Sequence, residues 1–311
     1  MERRDFIKTS ILGTGILMGS SILYAGNSQA KKVSLDLSYQ IHFDSAKEVK
    51  IWIPMPIASD FQQPTNIRIQ GNYHTYKTYS QDSTPLIYAS YYQTPKPKHI
   101  SISVDVSLTP RNSKNLLASQ DLKAYLQPTR YIRTDGVIQD LAKHLKANND
   151  TQTAHNIYAW IYNNLDYENA QNKEGIRKIQ SKDGKIAFSG ENISANTLFV
   201  SLCRACNLPA REAFGLGLQG GKTAFVSKSE VYLKNKGWTP YDTITPIANP
   251  TLNGQQKWLG NFVLLNYGRD VQIEKSVLSS FDNAFALVDG DKLSYYEGRH
   301  FMKHISYKQL A

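Results

Sequence analysis

Residues 190–215 read GENISANTLFVSLCRACNLPAREAFG, and the rest of the chain is best understood outward from them. The apolar positions Ala195, Leu198, Phe199, Leu202, Cys203 and Cys206 recur at the i, i+3, i+4, i+7 spacing of a helix with one buried face. Asn192 or Ser194 can cap its start, since a short polar side chain there satisfies an orphan backbone N–H. Asn207-Leu208-Pro209 ends it, because proline forces its predecessor out of the helical region. A strand is expected to begin just beyond. Both cysteines fall on the buried stripe and read as small core residues.

The chain has 311 residues, of which 41% are apolar and 20% charged, enough for a substantial core and two domains. The formal charge is +10. Residues 1–30 hold three basic and two acidic side chains, so removing them leaves 33 − 24 = +9. Such a balance favours anionic surfaces. No stripe of Arg and Lys interleaved with aromatics argues for nucleic acid, so none is expected as a partner.

Arg3-Arg4-Asp5-Phe6-Ile7-Lys8 precedes an uncharged run from Thr9 to Ala25, and Ser28-Gln29-Ala30 offers a small-residue cleavage site. That is the layout of a secretory signal. The paired arginines resemble the twin-arginine export signal of bacteria. The expectation is a periplasmic protein, mature from about Lys31, with no later run of the roughly 20 apolar residues that span a bilayer. Cys203 and Cys206 are the only two cysteines. A CxxC pair deep in a helix has poor geometry for a disulfide, and no neighbouring His completes a metal site. Neither cofactor nor metal is expected.

Three regions follow: the signal at 1–30, a β domain at 31–125 and an α+β domain at 126–311. Alternation at Val33, Leu35, Leu37, then Val49, Ile51, Ile53, then Ile100, Ile102, Val104, Val106 and Leu108 predicts strands of a sandwich-like antiparallel domain. A short helical piece is expected around Leu116 to Leu126. Helices are predicted from Val137 to Leu145 and from Ala154 to Leu165, the second capped by Thr151. Residues 166–189 are charged and aperiodic and read as a loop. Ser229 to Leu233 and Gly237 to Asp242 read as a hairpin, residues 243–260 as a loop, and the tail from Phe285 to Leu310 as β-like. An Arg269–Asp270 ion pair is expected, as is an Arg211–carboxylate pair.

Four pieces carry a family resemblance: Leu198-Phe199-Val200-Ser201-Leu202-Cys203-Arg204-Ala205, Leu208-Pro209-Ala210-Arg211, Gly237-Trp238-Thr239-Pro240-Tyr241-Asp242 and Asn266-Tyr267-Gly268-Arg269-Asp270. Together they make residues 136 onward resemble the bacterial transglutaminase-like, papain-related family of cysteine peptidases. The strand Val49-Lys50-Ile51-Trp52-Ile53-Pro54 resembles the β domain that often precedes it. The resemblance implies a papain-like core of helices packed on an antiparallel sheet. It also implies a catalytic Cys at the helix head, a His on the next strand and an Asp on the one after, in which a helix terminus and imidazole activate a thiolate. Laid on this chain, Gly190 matches the family's glycine, Asn192 its nucleophile, Ser194 its acidic position and Val226 its histidine. Glu230 matches a glutamate four residues beyond, and Asp242 the acid.

One triad member of three therefore remains. Cys203 lies 11 residues past Asn192, about 16 Å along the helix axis, too far to replace it. No histidine occurs between His155 and His300, so only His300 or His304 could rebuild a base. The resulting expectation is a catalytically inactive exported protein that binds a peptide or cell-wall stem peptide. The expected groove is lined by Gly190, Asn192, Ser194, Val226, Glu230, Trp238 and Asp242. The alternatives are an active peptidase or amidase with a non-standard triad, and an architectural periplasmic protein, which a filled groove would favour.

Overall fold

The computed structural model describes residues 31–80, 84–112, 122–166, 176–191, 193–251, 253–293 and 300–310. The signal at 1–30, Asn192 and the stretch 113–121 thus lie outside the described residues. The chain begins with β1 (Lys31–Ile41), β2 (Glu48–Pro54), β3 (Gln62–Gly71), β4 (Thr75–Tyr79), β5 (Leu86–Tyr92), β6 (Lys98–Leu108) and β7 (Arg111–Asn112). A 3₁₀ turn at Ala124–Leu126 leads to α1 (Val137–Leu145), α2 (Asp150–Asn164), β8 (Ile176–Gln180), β9 (Ala187–Glu191) and α3 (Ala195–Ala205). There follow β10 (Ala210–Gln219), β11 (Lys222–Leu233), β12 (Gly237–Tyr241), α4 (Thr245–Ala248), β13 (Lys257–Trp258) and β14 (Phe262–Asn266). The chain closes with β15 (Val271–Ile273), β16 (Ser276–Leu278), β17 (Phe285–Val288), β18 (Asp291–Lys292) and β19 (Phe301–Leu310).

Strict alternation on β1 sends Val33, Leu35, Leu37, Tyr39 and Ile41 inward, and β6 does the same with Ile100, Ile102, Val104, Val106 and Leu108. These side chains meet Val49, Ile51 and Ile53 of β2 and Ile87, Ala89 and Tyr91 of β5 in one core. The two faces belong to different sheets. One runs β14-β10-β11-β19-β1-β6-β3, with β12 beside β11, and the other runs β18-β17-β2-β5-β4. The last strands complete both: β19 pairs with β1 from Lys32↔Leu310 to Ile41↔Phe301, and β17 pairs with β2. The sequence marked these strands as β-like but could not name their partners.

The second core lies between three helices and β10 to β12, where Ile138, Leu141, Ile157, Ile161, Leu198, Phe199, Leu202 and Cys203 pack on Ala210, Val231 and Tyr241. This is α+β architecture, with helices on an antiparallel sheet. The helix α3 is capped by Ser194, whose Oγ accepts from Thr197 N at 3.2 Å. Its end is closed before Pro209 is reached. Asn207 is left-handed at φ 66°, its N–H bonds Arg204 O at 2.9 Å, and Leu208 N–H bonds Cys203 O at 2.9 Å. That is a Schellman ending with Asn at the turn position.

Three local expectations are corrected. The N-cap of α2 is Asn149, whose side chain accepts from Gln152 N at 2.8 Å, and not Thr151, which lies inside the helix. Residues 166–189 are not simply a loop, because β8 and β9 form a hairpin from Ile176↔Glu191 to Gln180↔Ala187. Ile179 and Phe188 are its buried residues, and Phe188 meets Trp160 edge-on at 6.4 Å. Its other face carries the exposed polar residues Lys178, Gln180 and Ser189, and the buried residues are too few to show an alternation. The 243–260 loop contains the short α4 and β13, the latter paired with β7.

Candidate functional site

Helix α3 points its first turn at β11 and at the chain leaving β12. The residue that makes this junction is Asn196, fully buried in the first turn. Its Nδ2 donates to Ser227 O at 2.7 Å, and its Oδ1 accepts from Ser229 Oγ at 2.7 Å and Thr243 Oγ1 at 2.9 Å. One amide thus joins a helix, a strand and a turn, and all its polar atoms are used where an unmet one would be costly. Sequence reasoning missed Asn196. The signals that could have found it are an amide in the first turn of a capped helix whose stripe is buried and the serines at 227 and 229.

Asp242 follows β12 and is 5% exposed. Its Oδ1 accepts from Ile244 N at 3.2 Å and Thr245 N at 3.0 Å, and its Oδ2 accepts from Thr245 Oγ1 at 2.6 Å. The Lys228 ammonium also donates to Oδ2. Burial alone pushes this carboxyl up, but the Lys228 charge and the Lys228 and Thr245 hydrogen bonds outweigh it and hold it below the usual value. Lys228, a second residue the sequence reading passed over, comes from β11 and lies 5.4 Å from the Phe262 ring. The Asp242 backbone is packed as tightly as its side chain: its N–H bonds Gly254 O at 2.9 Å, and a Cβ on Gly254 would stand 2.0 Å from Asp242 O. The cavity beside Asp242, walled by Thr245, Asn253, Gly254, Lys257 and Leu259, measures about 20 Å³, room for about one water.

Val226 sits on β11 opposite Gly215 and packs on the apolar cluster of Phe61, Ala213, Trp258, Phe262 and Leu264. Ser194 is completely buried under its own cap. Gly190 lies on β9 opposite Arg177, so close to Ile193 that a Cβ would come within 2.9 Å of its side chain.

Glu230 and Trp238 are interior. Glu230 Oε1 accepts from Arg111 Nε at 2.7 Å, and Oε2 lies 2.6 Å from Arg211 Nη2. Arg111 Nη2 donates to Trp238 O at 3.0 Å. The Arg211 guanidinium is sandwiched by Trp238 at 4.1 Å and Tyr267 at 3.5 Å from the ring centroids. The expected Arg211–carboxylate pair is thus present, but the expected Arg269–Asp270 pair is not. Arg269 instead bonds Glu212 Oε2 at 2.6 Å, with Thr197 Oγ1 at 3.0 Å, and Asp270 has a left-handed backbone at φ 53°.

His300 immediately precedes the closing strand and His304 lies on it. His300 Nδ1 is 2.9 Å from His42 O and its ring lies 4.6 Å from Phe43, while His304 stands opposite Ser38 of β1. Both cysteines are free and buried. Burial pushes the Cys203 thiol well above its usual value, and Cys206 Sγ reaches Ala142 O at 3.5 Å.

Helices packed on an antiparallel sheet, with an acid at the end of its hairpin, define the class, and comparison with known proteins agrees. Residues 139–243 match the model of the transglutaminase-like superfamily and have its fold. Over 324 aligned positions the chain is 23% identical to an uncharacterized protein of Haemophilus influenzae, covering 86% of this chain and 88% of that one. A crystal structure described as that of a "Putative Cysteine Protease" from Cytophaga hutchinsonii superposes with a TM-score of 0.56 at 18% identity, over 92% of each chain. That likeness is one of fold.

Proposed function

We propose that this is an exported, catalytically silent transglutaminase-like protein that acts by binding. In this reading Asn192 stands where the nucleophile would be and Val226 where the base would be. A thiol–imidazole pair is thereby replaced by an amide and a hydrocarbon, neither of which can attack an acyl carbon or carry its proton. The observation that carries the reading is the Lys228 ammonium on Asp242. The acid that would orient a histidine is spent on a lysine and on the turn beginning α4. The two facing sheets then form a β-sandwich-like module built from β1 to β6, completed by the late strands β17, β18 and β19, and continuous through β11 with the core, so the expected boundary near residue 125 marks only where the first run of strands ends.

The ligand class suggested by the family resemblance together with the expected compartment is a peptide, such as a cell-wall stem peptide. A space of about 20 Å³ beside Asp242 takes a water and not a peptide side chain, so a peptide would bind outside this pocket, and the filled pocket is the one observation that favours the architectural alternative. The test is turnover of general amide and amine-transfer substrates by the full chain and by Asp242→Ala. No turnover by either is expected; turnover in the parent that the variant loses would restore the enzyme reading. Export is tested separately by Arg3→Lys with Arg4→Lys, which should leave the protein in the cytoplasm.

A further inference from the structure

The two large sheets end in strands of very different character. At one end of the longer sheet β14 is buried at every residue, as is β12 beside β11. At its other end β3 carries Pro64 and a register break between Thr65 and Arg68. At one end of the shorter sheet β18 is two residues long. Cover, proline, bulges, brevity and charged side chains, lysine above all, keep an edge from pairing with another chain. The remaining edge, β4, has neither proline nor bulge, and its one such device is the charge of Lys77, which repels a basic strand and not an acidic one. Its five residues Thr75-Tyr76-Lys77-Thr78-Tyr79 pair in unbroken register with β5, and all five are exposed. Both residue parities are exposed, and among the described residues no strand pairs with β4 on the side away from β5. The composition, threonine alternating with tyrosine about one lysine, has high strand preference.

We infer that β4 is a docking edge for an extended acidic peptide, which adds to the shorter sheet as a further strand. Strand addition supplies affinity through main-chain hydrogen bonds and specificity through alternate side chains. Charge selects the occupant. A second copy paired about the strand centre would set Lys77 against Lys77, a repulsive cross-strand pair. Residues 61–100 contain Arg68, Lys77, Lys96 and Lys98 with only Asp82 as an acid. Lys98 is buried on backbone carbonyls, whereas Lys77 and Lys96 are exposed. Of the acids on other strands and turns, Asp105 is engaged by Asn66 and Lys32, and Glu48 and Glu274 by Lys50. Tyr76 and Tyr79, 46% and 47% exposed on opposite faces of the strand, would clasp the incoming side chains. The inference takes binding from the proposed function but needs nothing from the Asp242 region, so either can fail alone.

The experiment titrates the full chain with three labelled peptides, alternating Thr-Glu, Thr-Gln and Thr-Lys, by fluorescence anisotropy and by hydrogen exchange. The Thr-Glu peptide should bind tightest and slow exchange of the amides of residues 75–79. Lys77→Glu should weaken it by about tenfold, and Lys77→Gln by less, as expected for gain or loss of exposed charge pairs. Equal binding of the three peptides, protection appearing elsewhere, or no binding at all would overturn the inference. So would protection of β4 that rises with protein concentration without peptide, which would assign the edge to a second copy.

Discussion

Glu230 and Asp242 come from the same hairpin, both are buried, and both occupy positions the family resemblance marks, yet they are held differently. Glu230 takes two guanidinium groups, one of them from Arg111, 119 residues away. It bonds the connection leaving β6 to the hairpin β11–β12 and so ties the facing sheets to the helical core. Asp242 takes the ammonium of Lys228, 14 residues away, and the donors of its own following turn. One carboxylate is a joint between distant segments; the other closes a local turn. An acid retained at a family position can therefore be explained by what it holds in place.

The sharpest way to break that comparison is Glu230→Ala. It strands two buried arginines, so a loss of about 3–5 kcal/mol is expected in urea unfolding. Arg111→Met should cost less, on the order of 1–3 kcal/mol, because Glu230 keeps Arg211 while Trp238 O loses a donor. If the two losses were equal, Arg211 would not be an independent partner. The Asp242 side is read through pH. Its carboxyl is held below the ordinary 3.8, so the stability it confers is complete above that value and is lost as pH falls through the folded-state value. Asp242→Asn should flatten this acid limb of the stability curve. Thr245→Val, which removes one hydroxyl donor from Asp242, should cost about 1 kcal/mol. The smallest effect is chemical: a thiol reagent should leave Cys203 and Cys206 unmodified until the protein is unfolded, because both are buried.

Much of this fold was legible because its signals are local. Alternation on β1 and β6 and the helical stripe of α3 follow from burying one face, and both appear as expected. What was not legible is long-range or two-sided. Nothing in the stretch 301–310 names β1 as its partner, and one buried residue on each of β8 and β9, Ile179 and Phe188, is too short a pattern to read as alternation. The same holds at the site. The hairpin carrying Asp242 was readable from its turn residues, and Ser194 as a cap from its place before the stripe. Lys228 and Asn196 were not, because a lysine in a strand and an asparagine in a helix suggest exposure unless their partners are known. Glu230 and Trp238, expected along a groove, are interior for the same reason: Arg111 lies too far along the chain to be anticipated.

The central claim is that the acid at the position the family resemblance marks as catalytic serves the fold. Replacing a residue kept for catalysis commonly leaves stability unchanged or raises it, since active sites are held at a cost to stability. Replacing one kept for structure lowers it. The direct test is the unfolding free energy of Asp242→Ala beside the parent at neutral pH. The account predicts a loss on the order of 2 kcal/mol, as Lys228 and the α4 turn lose their shared acceptor. Unchanged or increased stability, accompanied by loss of a measurable acyl-transfer activity, would contradict it.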